Sequence, residues 1–181
     1  MPDAIIATGK APWIPVPHRM ELLREASYPG ERSLITAAFV LVFDVDDRLL
    51  LTHVNLPGRS WDVPGGHIDP GEDAASAATR ELAEETGFAV DPGRLSLVGW
   101  QRFTLLRLPP ATYAYPYPLS YTLMFAARTT QRAPRVAPSP DSECGPAGWF
   151  TIAEVGERCP GVSWLPFVAS TLTDPPTGLD R

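Results

Sequence analysis

The sequence predicts an α/β domain built on a mixed β-sheet, and three observations carry that expectation. Runs rich in apolar, β-branched and aromatic residues stand at Leu34 to Phe43, Arg48 to Val54, Leu95 to Arg107 and Tyr121 to Thr130. An alanine-rich run of high helix propensity, Asp73 to Thr86, interrupts them. Of the 21 prolines, only Pro57, Pro64, Pro70 and Pro92 fall between Leu34 and Arg107, so regular structure concentrates there. Short turns force antiparallel pairs, whereas a helical crossover permits parallel ones.

Residues 1–33 read as an N-terminal arm, serving as a lid or a dimer contact. Its single helical candidate, His18 to Ala26, turns Met20 and Leu23 toward an apolar surface. The domain proper is expected over residues 34–181. Asp44 to Asp47 supplies turn chemistry between the first two runs, which therefore form a hairpin. A Gly/Pro-rich stretch, Pro57 to Gly71, leads into the helix, and Gly87 marks its end. The next two strands flank a Pro/Tyr-rich insert at residues 108–119, too dense in proline for a helix. A short strand at Trp149 to Thr151, a helical turn at Ala153 to Val155 and a closing helix at Trp164 to Leu172 complete the reading.

Composition excludes several classes of function. With 15 basic and 21 acidic side chains the net charge is -6, which disfavours binding to bulk nucleic acid. The longest apolar stretch, Leu34 to Phe43, is far shorter than the roughly 20 residues a membrane-spanning helix needs. Met1 to Lys10 lacks the basic start and apolar core of a signal peptide, so a cytoplasmic location is expected. Cys144 and Cys159 read as free thiols, since two cysteines build neither a disulfide framework nor a four-cysteine zinc site.

The chemistry concentrates in the helix and the loop before it. At 100° per residue, Glu81, Glu84 and Glu85 share about a third of the helix circumference. Like charges at that spacing destabilise a bare helix, and the helix dipole disfavours them near its C-terminal end. A bound cation resolves the conflict, and clustered carboxylates with few His or Cys neighbours suit Mg²⁺ or Mn²⁺ rather than zinc. Arg80, one turn before Glu84, is placed to orient it through an ion pair. Leu82 faces the sheet. Ala74, Ala77 and Ala78 are expected to clear a floor for a metal–phosphate complex. Gly65 and Gly66 allow close backbone approach, so a carbonyl there is a candidate metal ligand.

Gly66, Glu72, Arg80-Glu81-Leu82, Glu84-Glu85 and Gly87-Phe88 resemble the Nudix box, G-x5-E-x7-R-E-U-x-E-E-x-G-U. Only Phe88, aromatic where an aliphatic residue is usual, departs from it. The Trp61-Asp-Val-Pro-Gly-Gly66 lead-in and the Trp149-Phe150 strand also resemble the family's layout. The resemblance implies an α/β/α sandwich and Mg²⁺- or Mn²⁺-dependent hydrolysis of a nucleoside diphosphate linked to another moiety. It implies Glu81, Glu84 and Glu85 as metal ligands, Arg80 as an orienting residue, and a general base that is either a box glutamate or an acid on a later loop, with Glu143 first and Asp141 second.

For substrate contact the candidates are His67 and Arg102 toward phosphate, and Tyr117, with Tyr113 and Tyr115, toward a base. The broadest expected substrate is a nucleoside or deoxynucleoside triphosphate. The alternatives are a pyrophosphatase for ADP-ribose or NADH-like dinucleotides and a non-hydrolytic nucleotide sensor. The piece Tyr115-Pro-Tyr-Pro-Leu-Ser120 is similar to part of a motif of NADH pyrophosphatase relatives. Family resemblance also makes a homodimer a candidate assembly.

Overall fold

The computed structural model describes residues 4–56, 60–176 and 179. Strand β1 (Ala4–Gly9) and strand β2 (His18–Arg24) come first, then β3 (Ile35–Phe43), β4 (Leu49–Val54), β5 (Trp61–Asp62) and β6 (Gly65–His67). Helix α1 (Ala74–Thr86) follows, then β7 (Ser96–Leu105), β8 (Leu119–Arg128), β9 (Cys144–Phe150), α2 (Ile152–Arg158) and α3 (Leu165–Thr173).

The nine strands form one mixed sheet in the order β1-β2-β7-β8-β3-β4-β5, with β6 also paired to β3 and β9 to β4. The β3–β8 pair is parallel and the others are antiparallel. Side chains of one strand alternate between two apolar layers. In β3, Val40 and Val42 pack on the side of Ala74, Ala78 and Leu82 of α1, whereas Leu41 and Phe43 pack on the side of Val155, Phe167 and Val168 of α2 and α3. Leu50 of β4 joins the first layer, and Leu49 and Leu51 join the second. Helices thus cover both faces, the α/β/α sandwich that the unbroken apolar runs require.

Three expectations need correction. The helix expected over His18 to Ala26 does not form: β2 pairs antiparallel with β7, Met20 opposite Phe103 and Leu23 opposite Trp100. Met20, Glu21, Leu22 and Leu23 are all buried, a run that suits a strand covered on both faces, and spacing alone does not separate that from one face of a helix. The segment expected to form an arm therefore extends the sheet. The expected alanine floor fails too, because Ala77 and Ala78 are fully buried and Ala74 nearly so, and Ala74 and Ala78 pack into the apolar layer between α1 and the sheet. The Gly/Pro-rich stretch contains β5 and β6, although residues 57–59 lie outside the described residues. The last strand begins at Cys144, five residues before the expected Trp149.

Helix α1 begins and ends where the sequence indicates. Asp73 caps it by accepting from the Ala75 and Ser76 amides. Gly87 is left-handed at φ 70°, and a Cβ there would collide with the Ala137 carbonyl, so glycine is required on two counts. Leu23→Ala should cost about 2–5 kcal/mol in urea unfolding, as expected for a fully buried leucine in a sheet strand. A cost below about 1 kcal/mol would mean that β2 packs loosely on the domain.

Candidate active site

Glu81, Glu84 and Glu85 project from the C-terminal half of α1, and the loop that carries β6 meets them. Gly66 is fitted to Glu81: a Cβ on Gly66 would lie 2.5 Å from Glu81 Oε1, so the carboxylate occupies the space a side chain would take. The β6 loop is held in turn by pairing with β3, Ala38 opposite Gly66 and Phe39 opposite Gly65.

Arg80 joins these parts. Its Nε and Nη2 donate to the two oxygens of Glu72 at 3.0 Å each, a bidentate pair. Nη1 donates to Glu81 at 2.9 Å and lies 3.6 Å from Glu84, while Nη2 also donates to the His67 carbonyl at 3.1 Å. The hydrogen bond from Arg80 holds Glu72 below the usual carboxylate range. Glu84 is the most open of the three carboxylates, its side chain 53% exposed.

Glu85 is in a different environment. Its Oε2 accepts from the Gly65 amide at 3.1 Å and its Oε1 from the Cys144 thiol at 3.0 Å. Burial pushes its pKa up to about 7, outweighing those two donors, and the nearby charge of Glu81 adds to the rise. Burial also pushes the Cys144 thiol up to about 12, with Glu85 contributing, so this cysteine is a neutral donor rather than a nucleophile. The loop before β9 is docked on the end of the helix: the Ala137 amide donates to the Thr86 carbonyl at 2.8 Å and the Ser139 amide to the Glu84 carbonyl at 2.9 Å. These bonds satisfy two carbonyls left open at the helix terminus and bring Cys144 to Glu85.

Among the described residues, no three His, Cys, Asp or Glu side chains already converge on one point that could hold a metal. The donors nevertheless fit a hard divalent cation. They are oxygens from three side chains on one helix face, one of them buried with an ionisation that burial opposes, beside a glycine loop where no side chain intervenes. Zinc fits less well, since the one thiol shown at the cluster, Cys144, is held neutral beside Glu85, whereas zinc takes a thiolate.

The other expected residues are distributed around this centre. His67 stands on the β6 loop, its ring stacked on Tyr115 at 5.6 Å and 9°. Tyr117 is 50% exposed, and the tyrosine that meets the loop is Tyr115. Arg102 pairs across β2 and β7 with Glu21 at 3.0 Å. Glu143 is exposed, next to Cys144. Sequence reasoning set Cys144 aside, because its contact with Glu85 spans 59 positions and no local spacing announces it. Glu72 was legible as a fixed box position, but its fork with Arg80 is a feature of the folded loop.

A model of the NUDIX domain matches residues 33–165, and the chain belongs to the Nudix family. The RNA pyrophosphohydrolase of Caulobacter vibrioides is 38% identical over 96 residues, covering 52% of each chain. The human m7GpppN-mRNA hydrolase NUDT17 is 27% identical over 153 residues, 76% of this chain and 46% of that protein. The chain spans about half, or less, of the length of the curated relatives it matches. Among solved structures, the Bacillus subtilis pyrophosphohydrolase BsRppH shares the fold with a TM-score of 0.63 at 20% identity, covering 87% of this chain and 91% of that one. The Escherichia coli dihydroneopterin triphosphate pyrophosphohydrolase aligns with a TM-score of 0.58 at 18% identity, covering 80% and 97%. No helix among the described residues is long and apolar enough to cross a membrane.

In metal-free protein, the raised pKa of Glu85 has a stability consequence. The folded state holds its proton up to about pH 7, whereas an unfolded glutamate releases it near 4.5. That contribution is fully present below pH 4.5 and is lost as pH rises through about 7, by at most on the order of 3 kcal/mol. With a chelator present, Glu85→Gln should flatten the fall in unfolding free energy between those pH values. An unaltered slope in urea titrations would reassign the proton to another group.

Proposed function

We propose that this chain hydrolyses a nucleoside diphosphate linked to another moiety, using Mg²⁺ or Mn²⁺, by attack of water on a diphosphate phosphorus. The observation that carries the reading is the convergence of Glu81 and Glu85 on the Gly65–Gly66 loop, with Arg80 joining Glu72, Glu81 and Glu84. Glu81, Glu84 and Glu85, with the Gly65 carbonyl, would hold the cation. When bound, the cation supplies charge neutralisation at the diphosphate and acidifies water in the site.

The chain's own residues do the rest. Arg80 keeps the carboxylates in register, with Glu72 as its counter-ion. Gly65 and Cys144 fix Glu85 through one donor on each oxygen, so its remaining lone pairs face a set direction. His67 and Arg102 are candidate phosphate contacts, and Tyr117 is a candidate contact for the base. Glu143 is a candidate base on the loop that ends at Cys144. The proposed substrate class is a nucleoside or deoxynucleoside triphosphate, and the named activities of the relatives add the 5′ end of an RNA to the compounds worth trying.

The test is release of phosphate, diphosphate and nucleotide, with and without Mg²⁺ or Mn²⁺. The panel is dNTPs, 8-oxo-dGTP, ADP-ribose, NADH, diadenosine polyphosphates and a 5′-triphosphate RNA. Metal-dependent cleavage of at least one compound is expected, and no turnover on any would overturn the reading. Glu84→Gln should lower turnover on the order of a hundredfold while leaving circular dichroism unchanged, because a neutral amide cannot balance a cation. Glu143→Gln should remove the acidic limb of the pH–rate profile if Glu143 is the base, because a base works only once deprotonated; an intact limb moves that role to the box helix.

A further inference from the structure

The Pro/Tyr-rich insert is not a free loop. Its neck is closed by the Leu105 amide donating to the Pro118 carbonyl at 2.8 Å, and the Leu106 amide donates to the Pro17 carbonyl at 2.9 Å. Tyr113 packs against the second apolar layer, hydrogen-bonds to Ser120 and meets Tyr115 edge-on at 5.3 Å. Tyr115 then lies on His67: the rings are parallel within 9° and a 2.8 Å hydrogen bond joins the tyrosine hydroxyl to His67 Nε2. Four prolines, Pro109, Pro110, Pro116 and Pro118, stiffen the segment, so little conformational freedom is left to lose when a ligand binds it.

This places a flat aromatic surface on the loop that meets Glu81. His67 is the residue after Gly66, which abuts Glu81, and its carbonyl is held by Arg80. Residues 108–119 contain no Asp, Glu, Lys or Arg, so the insert offers stacking and hydrogen bonding rather than charge. Phosphate groups belong at the carboxylate–cation side, and a planar, uncharged group belongs at the tyrosine side. Tyr115 is only partly buried, so its ring keeps accessible surface.

We propose that Tyr115, seated on His67, determines specificity at this site by stacking on the aromatic base of the nucleotide. The inference rests on the nucleotide reading above and deepens it. Substrates with a diphosphate but no planar base would bind without this contact.

Calorimetric titration in Mg²⁺ tests it with a non-hydrolysable α,β-methylene deoxynucleoside triphosphate and with the same compound lacking its base. Wild type, Tyr115→Phe and Tyr115→Leu are compared after circular dichroism shows each folded. Stacking on an aromatic side chain predicts that Tyr115→Leu raises Kd for the full nucleotide about tenfold, while Tyr115→Phe stays within about threefold. Kd for the base-less compound should not change in either variant. Equal weakening of both compounds, no weakening of either, or no nucleotide binding by wild type would overturn the proposal. A wild type that binds the nucleotide through Tyr115 but hydrolyses nothing would instead sink the hydrolytic reading and leave this one standing.

Discussion

The Arg80 guanidinium is the interaction on which the site depends. Three glutamates within five positions of one helix repel one another, and the helix end they occupy disfavours their charge. Arg80 offsets this with a bidentate bond to Glu72, a bond to Glu81 and proximity to Glu84, and it ties the helix to the β6 loop through the His67 carbonyl. Its hydrogen bonds to Glu72 and Glu81 raise its already high pKa, so it stays charged at any working pH. Loss of this one side chain would take that partner from Glu72 and Glu81 and remove one tie between the helix and the β6 loop.

The sandwich makes that arrangement rigid. Helix α1 is fixed to the sheet by Ala74, Ala78 and Leu82, while β3 fixes the β6 loop from below. Both partners of the Gly66–Glu81 contact therefore sit on elements whose positions are set by burial rather than by the contact itself. The second apolar layer, under α2 and α3, lets β3 and β4 be apolar on both faces, which is why their sequences read as continuous runs instead of alternating ones.

Glu85 shows how burial and chemistry meet. A carboxylate this sheltered resists ionisation, and the amide of Gly65 and the thiol of Cys144 compensate only in part. A divalent cation would remove the conflict, so the position reads as prepared for one. Cys144 reaches Glu85 because the preceding loop caps the end of α1, so the helix terminus and the carboxylate share one stabilising segment.

The sequence by itself determined whatever depends on neighbours in the chain. The face shared by Glu81, Glu84 and Glu85, the Asp73 cap, the Gly87 stop and the apolar runs of β3, β4, β7 and β8 all follow from spacing and propensity. Tertiary structure decided what depends on partners far along the chain. His18 to Arg24 became a strand because β7 offered an edge to pair with, and a short apolar run has no intrinsic preference strong enough to refuse it. Cys144 at Glu85 and Tyr115 at His67 lie 59 and 48 positions apart, set by where loops close over the sheet. Local patterning records the periodicity of a helix or strand, but only packing brings distant side chains together.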